Sequence, residues 1–144
     1  MKTNQTAKET YSLILNYIRK TKLLLKEKTD IDVSSVMPVA KMAVAFMENS
    51  KDLNYFAVNY YDTEDLYISH SANVAIFATT IGKGLSYDRE ELNLLCAAGI
   101  LHDIGVARVP GKVTESNIDN LTRQEIYFFQ KHSELGYESI RKNS

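Results

Sequence analysis

The stretch Leu101-His102-Asp103-Ile104-Gly105 places an imidazole and a carboxylate on consecutive residues where an apolar helical pattern ends. Residues 91–101 have apolar side chains at helical spacing, which predicts a largely buried helix. Burying a histidine and an aspartate together is costly unless they pair, find hydrogen-bond partners or bind a metal ion. A divalent cation would satisfy both side chains, and the alternative is a helix end where they only cap and pair. The predicted apolar face is Leu92, Leu95, Cys96, Gly99 and Ile100.

The length and composition of the chain are those of one globular domain or a piece of one. Its 144 residues include 17 basic and 18 acidic side chains, so the net charge of -1 gives no reason to expect DNA as a partner. Cys96 is the single cysteine, which indicates a core thiol in a reducing compartment. No apolar run approaches the ~20 residues of a membrane span. We therefore expect a cytoplasmic protein without a membrane span.

Helical patterns predominate along the chain, and no stretch shows the strict alternation typical of a strand. The predicted fold class is therefore all-α. The first helix is expected over about residues 5–29, with an apolar stripe formed by Tyr11, Ile14, Leu15, Ile18 and Leu25. The second helix is expected to end near Glu48, and the third is expected to cover 53–59. The fourth is expected to run from a cap at Asp62 or Thr63 to about Ile81, where Gly82 and Gly84 end it.

The predicted fourth helix carries His70, one turn before Val74 on an apolar face, which predicts that the imidazole points inward. A lone inward histidine is more often a hydrogen-bonded core residue than a ligand. A short turn over 82–86 joins this helix to the one that ends in His102, so the two should lie side by side. The apolar face is Val74, Phe77, Ala78 and Ile81, and the small residues that would allow close approach are Ser71, Ala72, Ala75 and Ala78.

The chain after Gly105 combines a loop with a third histidine. Residues 106–112 are expected to form a loop, because Pro110-Gly111 is a strong turn signal. Thr122-Arg123-Gln124-Glu125 has the sequence of a capping box and predicts the start of a helix. His132 follows that helix, and the last apolar stripe begins without being completed before Ser144. We therefore expect an architecture that is incomplete at its C-terminus.

Several motifs follow one another in a defined order over about residues 36–140, and their combination is more specific than any single dipeptide. They are His70-Ser71, Leu101-His102-Asp103-Ile104-Gly105, Pro110, Leu121-Thr122-x-x-Glu125 and Lys131-His132-x-x-x-Gly136. This set resembles the HD superfamily of metal-dependent phosphohydrolases, and within it the HD-GYP branch. The resemblance implies an all-α helical bundle in which two or three metal ions activate a water that hydrolyses the signalling molecule cyclic di-GMP.

The resemblance also assigns residues to the expected metal site. His70, His102, Asp103 and His132 match the family's metal ligands, and Asp103 would be the catalytic, metal-bridging carboxylate. The divalent metal would be iron or manganese, with nickel or zinc as alternatives. Leu66 stands where three-metal members are expected to have a glutamate, so two ions are the most that this pattern allows.

Departures from the family pattern predict impaired catalysis. Val106 occupies the place of a lysine that contacts the substrate phosphate, and it cannot offset charge. Arg108 is the alternative cation, although a loop arginine is more often solvated. The paired histidines, the Gly-Tyr-Pro loop and the final aspartate of the family would all lie beyond residue 144. We expect no robust cyclic di-GMP hydrolysis by this chain.

Three functions stay open on the sequence alone. The first is a phosphodiesterase acting on a cyclic dinucleotide or another phosphoester, with residues 1–62 as N-terminal helices packed on the core and 63–144 as the partial metal-site region. The second is a degenerate HD-like signalling module that forms a homodimer through its N-terminal helices. The third is a plain helical domain with chance histidines.

Overall fold

The computed structural model describes residues 6–60, 65–114 and 118–141, and every regular element in these ranges is helical. This confirms the predicted all-α class. No helix in the described ranges combines the length and the apolar character that crossing a lipid bilayer requires. The helices are α1 (Ala7–Lys26), α2 (Met37–Asn49), α3 (Asp52–Asn59), α4 (Leu66–Gly84), α5 (Arg89–Leu101), α6 (Gly111–Thr114), α7 (Arg123–Gln130) and α8 (His132–Arg141), with 3-10 turns at Val33–Val36, Ile104–Arg108 and Ile118–Asn120.

Capping boxes start three of these helices. The predicted box at Thr122 and Glu125 is confirmed at the start of α7. Equivalent boxes begin α1 at Thr6 and α5 at Asp88. In each box a side-chain oxygen accepts a backbone N–H that would otherwise lack a partner in the first turn. The predicted caps Asp62 and Thr63 lie outside the described residues, and the cap position of α4 is held by Asp65.

Helices α4 and α5 form a closely packed pair at the centre of the fold. A Cβ atom added at Gly99 would lie 2.5 Å from the Cα of Ala75, so only glycine allows the two backbones to come this near. Gly82 packs in the same way against Leu95, where an added Cβ would lie 2.8 Å from a side-chain methyl. Gly82 therefore does not end α4 as predicted. The helix continues to Gly84, and Ser86 makes the turn with a φ of 63°.

The buried face of α4 differs from the predicted one. Phe77 is 38% exposed and Ile81 is 63% exposed, so the prediction that they face the core with His70 was wrong. Small and hydroxyl side chains cover the interface because they permit the short distance between α4 and α5. The buried residues of α4 are Ile68, Ser69, Ser71, Ala72, Ala75, Ile76, Thr79 and Gly82.

Helix α1 lies across this pair and extends beneath the turn that follows α5. Its predicted apolar stripe is buried as expected, and residues of α1 to α5 share one apolar core. The Tyr11 hydroxyl donates a hydrogen bond of 2.6 Å to Oδ1 of Asn73 on α4. Leu25, Ile31 and Ala107 form a second apolar cluster. The predicted loop over 106–112 was wrong in part, because a 3-10 turn runs to Arg108 and α6 starts at Gly111.

Candidate metal centre

Three separate elements bring the candidate site residues together. His70 lies on α4, His102 and Asp103 follow α5 directly, and His132 begins α8. Oδ2 of Asp103 lies 3.2 Å from Nε2 of His102 and 3.6 Å from Nε2 of His70. The other carboxylate oxygen, Oδ1, lies 3.3 Å from Nε2 of His132. The carboxylate thus has histidine nitrogens on both of its oxygens.

Backbone carbonyl groups fix the orientation of two of the imidazole rings. Nδ1 of His102 lies 2.8 Å from the carbonyl oxygen of Gly99, and Nδ1 of His132 lies 2.7 Å from that of Phe129. Because a carbonyl oxygen only accepts hydrogen bonds, Nδ1 must carry the proton and donate it in both rings. In the neutral rings Nε2 then presents a lone pair towards Asp103. Metal-binding histidines are commonly oriented by a hydrogen bond of this kind on the other nitrogen.

The charges at the site favour a proton or a metal ion between these groups. The hydrogen bond with Asp103 raises the pKa of His102, although partial burial acts in the opposite direction. The hydrogen bond with His102 lowers the pKa of Asp103, against partial burial, with further contributions from the positive charges of the surrounding histidines. An ionised carboxylate facing unprotonated ring nitrogens would be unfavourable unless a proton or a metal ion lies between them.

The distances between the ligand atoms fit a single first-row metal ion. Nitrogen ligands about 2.0–2.1 Å from a tetrahedral ion lie about 3.3–3.4 Å from each other. Nε2 of His102 is 3.3 Å from Nε2 of His70, and both are near the same oxygen of Asp103. His70, His102 and Asp103 therefore offer three ligand atoms that lie within 4.8 Å of one another. The donor set of imidazole and carboxylate suits iron, manganese or zinc.

Gly105 determines where α8 and its histidine lie. A Cβ atom added at Gly105 would lie 1.8 Å from the carbonyl oxygen of His132 and 2.4 Å from the backbone nitrogen of Gly136. Only a glycine at this position lets α8 rest directly on the turn after Asp103. The sequence does not indicate this contact, because the contact joins segments distant in the chain.

His70 lies at the solvent-exposed rim of the site. Its side chain is 53% exposed, so the prediction of an inward imidazole among core residues was wrong. Asp103 lies deeper, with 19% of its side chain exposed. The arrangement leaves the His70 side accessible to a ligand from solvent, whereas the carboxylate is held within the protein.

The positions that depart from the family pattern have clear locations. Leu66 is 65% exposed at the start of α4, and Val106 is 4% exposed within the 3-10 turn that follows Asp103. In the described part of the chain, the hydrogen bond and ion pair of Arg108 go to a residue other than the four candidate ligands. Its guanidinium donates a hydrogen bond of 2.8 Å to Oδ1 of Asp30, which ties the turn to the segment after α1. Arg108 is therefore neither the expected solvated side chain nor a cation at the site.

Comparison with known proteins agrees with this architecture. The sequence model of the HD domain family matches residues 67–144, and the chain belongs to that family. Cyclic di-GMP phosphodiesterase PdeB from Borreliella burgdorferi is 29% identical over 72 residues, which is 50% of this chain and 19% of that protein. The chain therefore covers about a fifth of this relative. No solved structure matches the chain at a significant level.

HD domains are typically metal-dependent, and the cluster of His70, His102 and Asp103 is able to hold a metal ion. The family and the cluster together make this position of the HD domain a candidate metal site. The role of each candidate ligand stays a prediction.

Proposed function

We propose that this chain carries the metal site of an HD-GYP-type phosphodiesterase that acts on a cyclic dinucleotide. The observation that carries the proposal is the position of Asp103, whose Oδ2 faces His70 and His102 while Oδ1 lies 3.3 Å from His132. A carboxylate that has candidate metal-binding histidines near each of its two oxygens is able to bridge two cations. The name of the similar PdeB protein, a cyclic di-GMP phosphodiesterase, supports this substrate class.

Iron or manganese is the proposed metal, with nickel or zinc as alternatives, because the donors are imidazole nitrogens and a carboxylate. When bound, such an ion supplies a water of lowered pKa and an electrophilic contact for phosphoryl oxygens. The protein groups have distinct tasks in this proposal. Asp103 would be the catalytic, bridging ligand, and the carbonyl groups of Gly99 and Phe129 hold His102 and His132 with Nε2 towards it.

We further propose that the isolated chain hydrolyses cyclic di-GMP poorly. The described residues supply four candidate ligand side chains, which is fewer than two ions with six-fold coordination would use. Val106 is buried and apolar, so its position offers no positive charge to the substrate phosphate. This observation also favours the second candidate function, a non-catalytic HD-like signalling module.

In the non-catalytic signalling module, two copies of the chain would form a homodimer through the helices within 1–62. The helices within 63–144 would keep the histidines as a structural remnant. The division of the chain at residue 62 is part of the proposal. The shared apolar core of α1 to α5 supports a close association of the two regions.

Metal analysis and an activity assay on the same sample test the proposal. The purified chain, incubated with manganese and then dialysed, should retain bound metal by mass spectrometry, and D103A and H102A should retain much less. A matched control is D119N, since Asp119 is an exposed acidic residue outside the cluster. Equal metal content in wild-type protein and D103A would refute the metal site, and wild-type turnover of cyclic di-GMP comparable to that of established cyclic di-GMP phosphodiesterases would refute the proposed impairment.

A further inference from the structure

A small pocket adjoins Asp103 on the side of α1. Its volume is about 20 Å³, which is enough for one water molecule or one oxygen atom of a ligand but not for a base or a sugar. The walls come from α1, from the first turns of α4 and from the turn after α5, and they include Lys22, Tyr67, Asp103 and Val106. The pocket therefore lies between the candidate metal centre and α1, a helix that carries none of the predicted site residues.

Lys22 gives this pocket a positive charge. Lys22 is the positively charged residue among the described residues that line the pocket, and its side chain is 21% exposed. The ammonium group forms an ion pair with Asp65 and lies 5.9 Å from the centre of the Tyr67 ring. These contacts hold Lys22 beside the site rather than leaving it extended into solvent, as an unpaired surface lysine would be.

Tyr67 provides a second donor at the same place. Burial, followed by the negative charges of Asp103 and Asp65, raises the pKa of the Tyr67 phenol, so the hydroxyl stays protonated at neutral pH. Lys22 and Tyr67, whose ammonium and phenol groups both donate hydrogen bonds, thus line the same pocket as Asp103 of the candidate metal site. Donors of these types suit the non-bridging oxygen of a phosphate group.

We propose that Lys22 binds the phosphate group of a phosphoester held at the Asp103 site, and that Asp65 holds the ammonium group in place until the phosphate replaces it. The proposal rests on the phosphoester function proposed above. It assigns the phosphate-binding charge to α1, because Val106 lines the same pocket and carries none. The alternative is that the ion pair of Lys22 and Asp65 only fastens α1 to α4.

The two interpretations differ in what removal of each partner does. K22Q removes the proposed phosphate contact, whereas D65N leaves Lys22 in place and removes the group that competes with phosphate for it. A purely structural ion pair predicts the same effect for both substitutions. A phosphate-binding Lys22 predicts opposite effects on phosphate affinity.

The experiment is isothermal titration of inorganic phosphate into the manganese-loaded full chain. We expect K22Q to weaken phosphate binding about 10-fold or more, the usual loss for a charge-assisted hydrogen bond, and K22R to retain most of it. D65N should bind phosphate more tightly than the wild-type protein. K26Q is the matched control, because Lys26 is an exposed lysine one turn further along α1, and its phosphate affinity should not change. Manganese affinity, titrated separately, should be the same in K22Q and the wild-type protein.

Other results of these titrations would overturn either the role of Lys22 or the phosphoester function. Equal phosphate affinity of K22Q and wild type would overturn the role of Lys22 alone. Equal losses in K22Q and K26Q, or in K22Q and D65N, would overturn it in favour of general charge or a structural ion pair. If the manganese-loaded wild-type chain binds no phosphate, both this inference and the proposed phosphoester function fail.

Discussion

Substitution of Gly105 by alanine tests whether the contact between α8 and the turn after α5 positions the third histidine. The new Cβ would lie 1.8 Å from the carbonyl oxygen of His132 and 2.4 Å from the nitrogen of Gly136. Both atoms belong to the backbone. Helix α8 must therefore move away from the turn by roughly 1 Å or more to restore an ordinary contact distance of about 3.5 Å. Overpacking of this kind typically costs about 1–3 kcal/mol of stability.

The same displacement should act on the metal site unevenly. His132 lies 3.3 Å from Oδ1 of Asp103, and a shift of α8 would remove it from the ligand set. His70 and His102 are on α4 and after α5, so their contacts with Oδ2 should persist. We therefore expect G105A to lose the manganese bound beside His132 while it retains the manganese bound beside His70 and His102.

Titration of manganese, combined with urea unfolding, measures both effects. The matched control is G84A, because a Cβ atom added at Gly84 meets no atom within 4 Å. That substitution should leave metal binding unchanged and the free energy of unfolding equal or raised by up to about 1 kcal/mol. If G105A binds manganese with the same stoichiometry and affinity as the wild type, α8 does not position a metal ligand and the reasoning is refuted.

Two further perturbations follow from the geometry. G99A should lower the free energy of unfolding by about 1–3 kcal/mol, since the new Cβ would lie 2.5 Å from the Cα of Ala75; urea unfolding checks this, and an unchanged midpoint would contradict the close packing of α4 and α5. The stabilisation of the protein by manganese should increase as pH rises through the raised pKa of His102, because the protonated ring binds no metal. Without metal the sign reverses: a pKa raised by folding contributes stability below the unfolded-state pKa that is lost as pH rises through the folded-state value. Thermal unfolding across this pH range, with and without manganese, should show the two opposite trends, and parallel trends would contradict the pairing of His102 with Asp103.

The fold was largely predictable because helix signals are local. The capping box at Thr122 and Glu125 and the apolar stripe of α1 depend on residues three or four positions apart, and both were recognised. The boxes at Thr6 and Asp88 carry the same sequence signal and were overlooked. The short connection between α4 and α5 was enough to predict that His70 would lie near His102.

The buried face of α4 was mispredicted because hydrophobicity was a poor guide there. The closest helix contact is made by Ala75 against Gly99, and larger apolar residues such as Phe77 lie outside it. Two other long-range contacts gave no signal in the sequence. Nothing local indicates that Gly105 supports α8 or that Lys22 reaches the pocket of Asp103.

We propose that Asp103 lies between two metal positions, with His70 and His102 on one side and His132 on the other. Anomalous X-ray diffraction at the manganese absorption edge, from crystals of the chain grown with manganese, measures this directly. We expect two anomalous peaks that flank the Asp103 carboxylate, about 3.5–4 Å apart as in other two-metal sites, with the peak beside His132 the weaker one. Anomalous peaks remote from Asp103, or none at any manganese concentration, would contradict the claim.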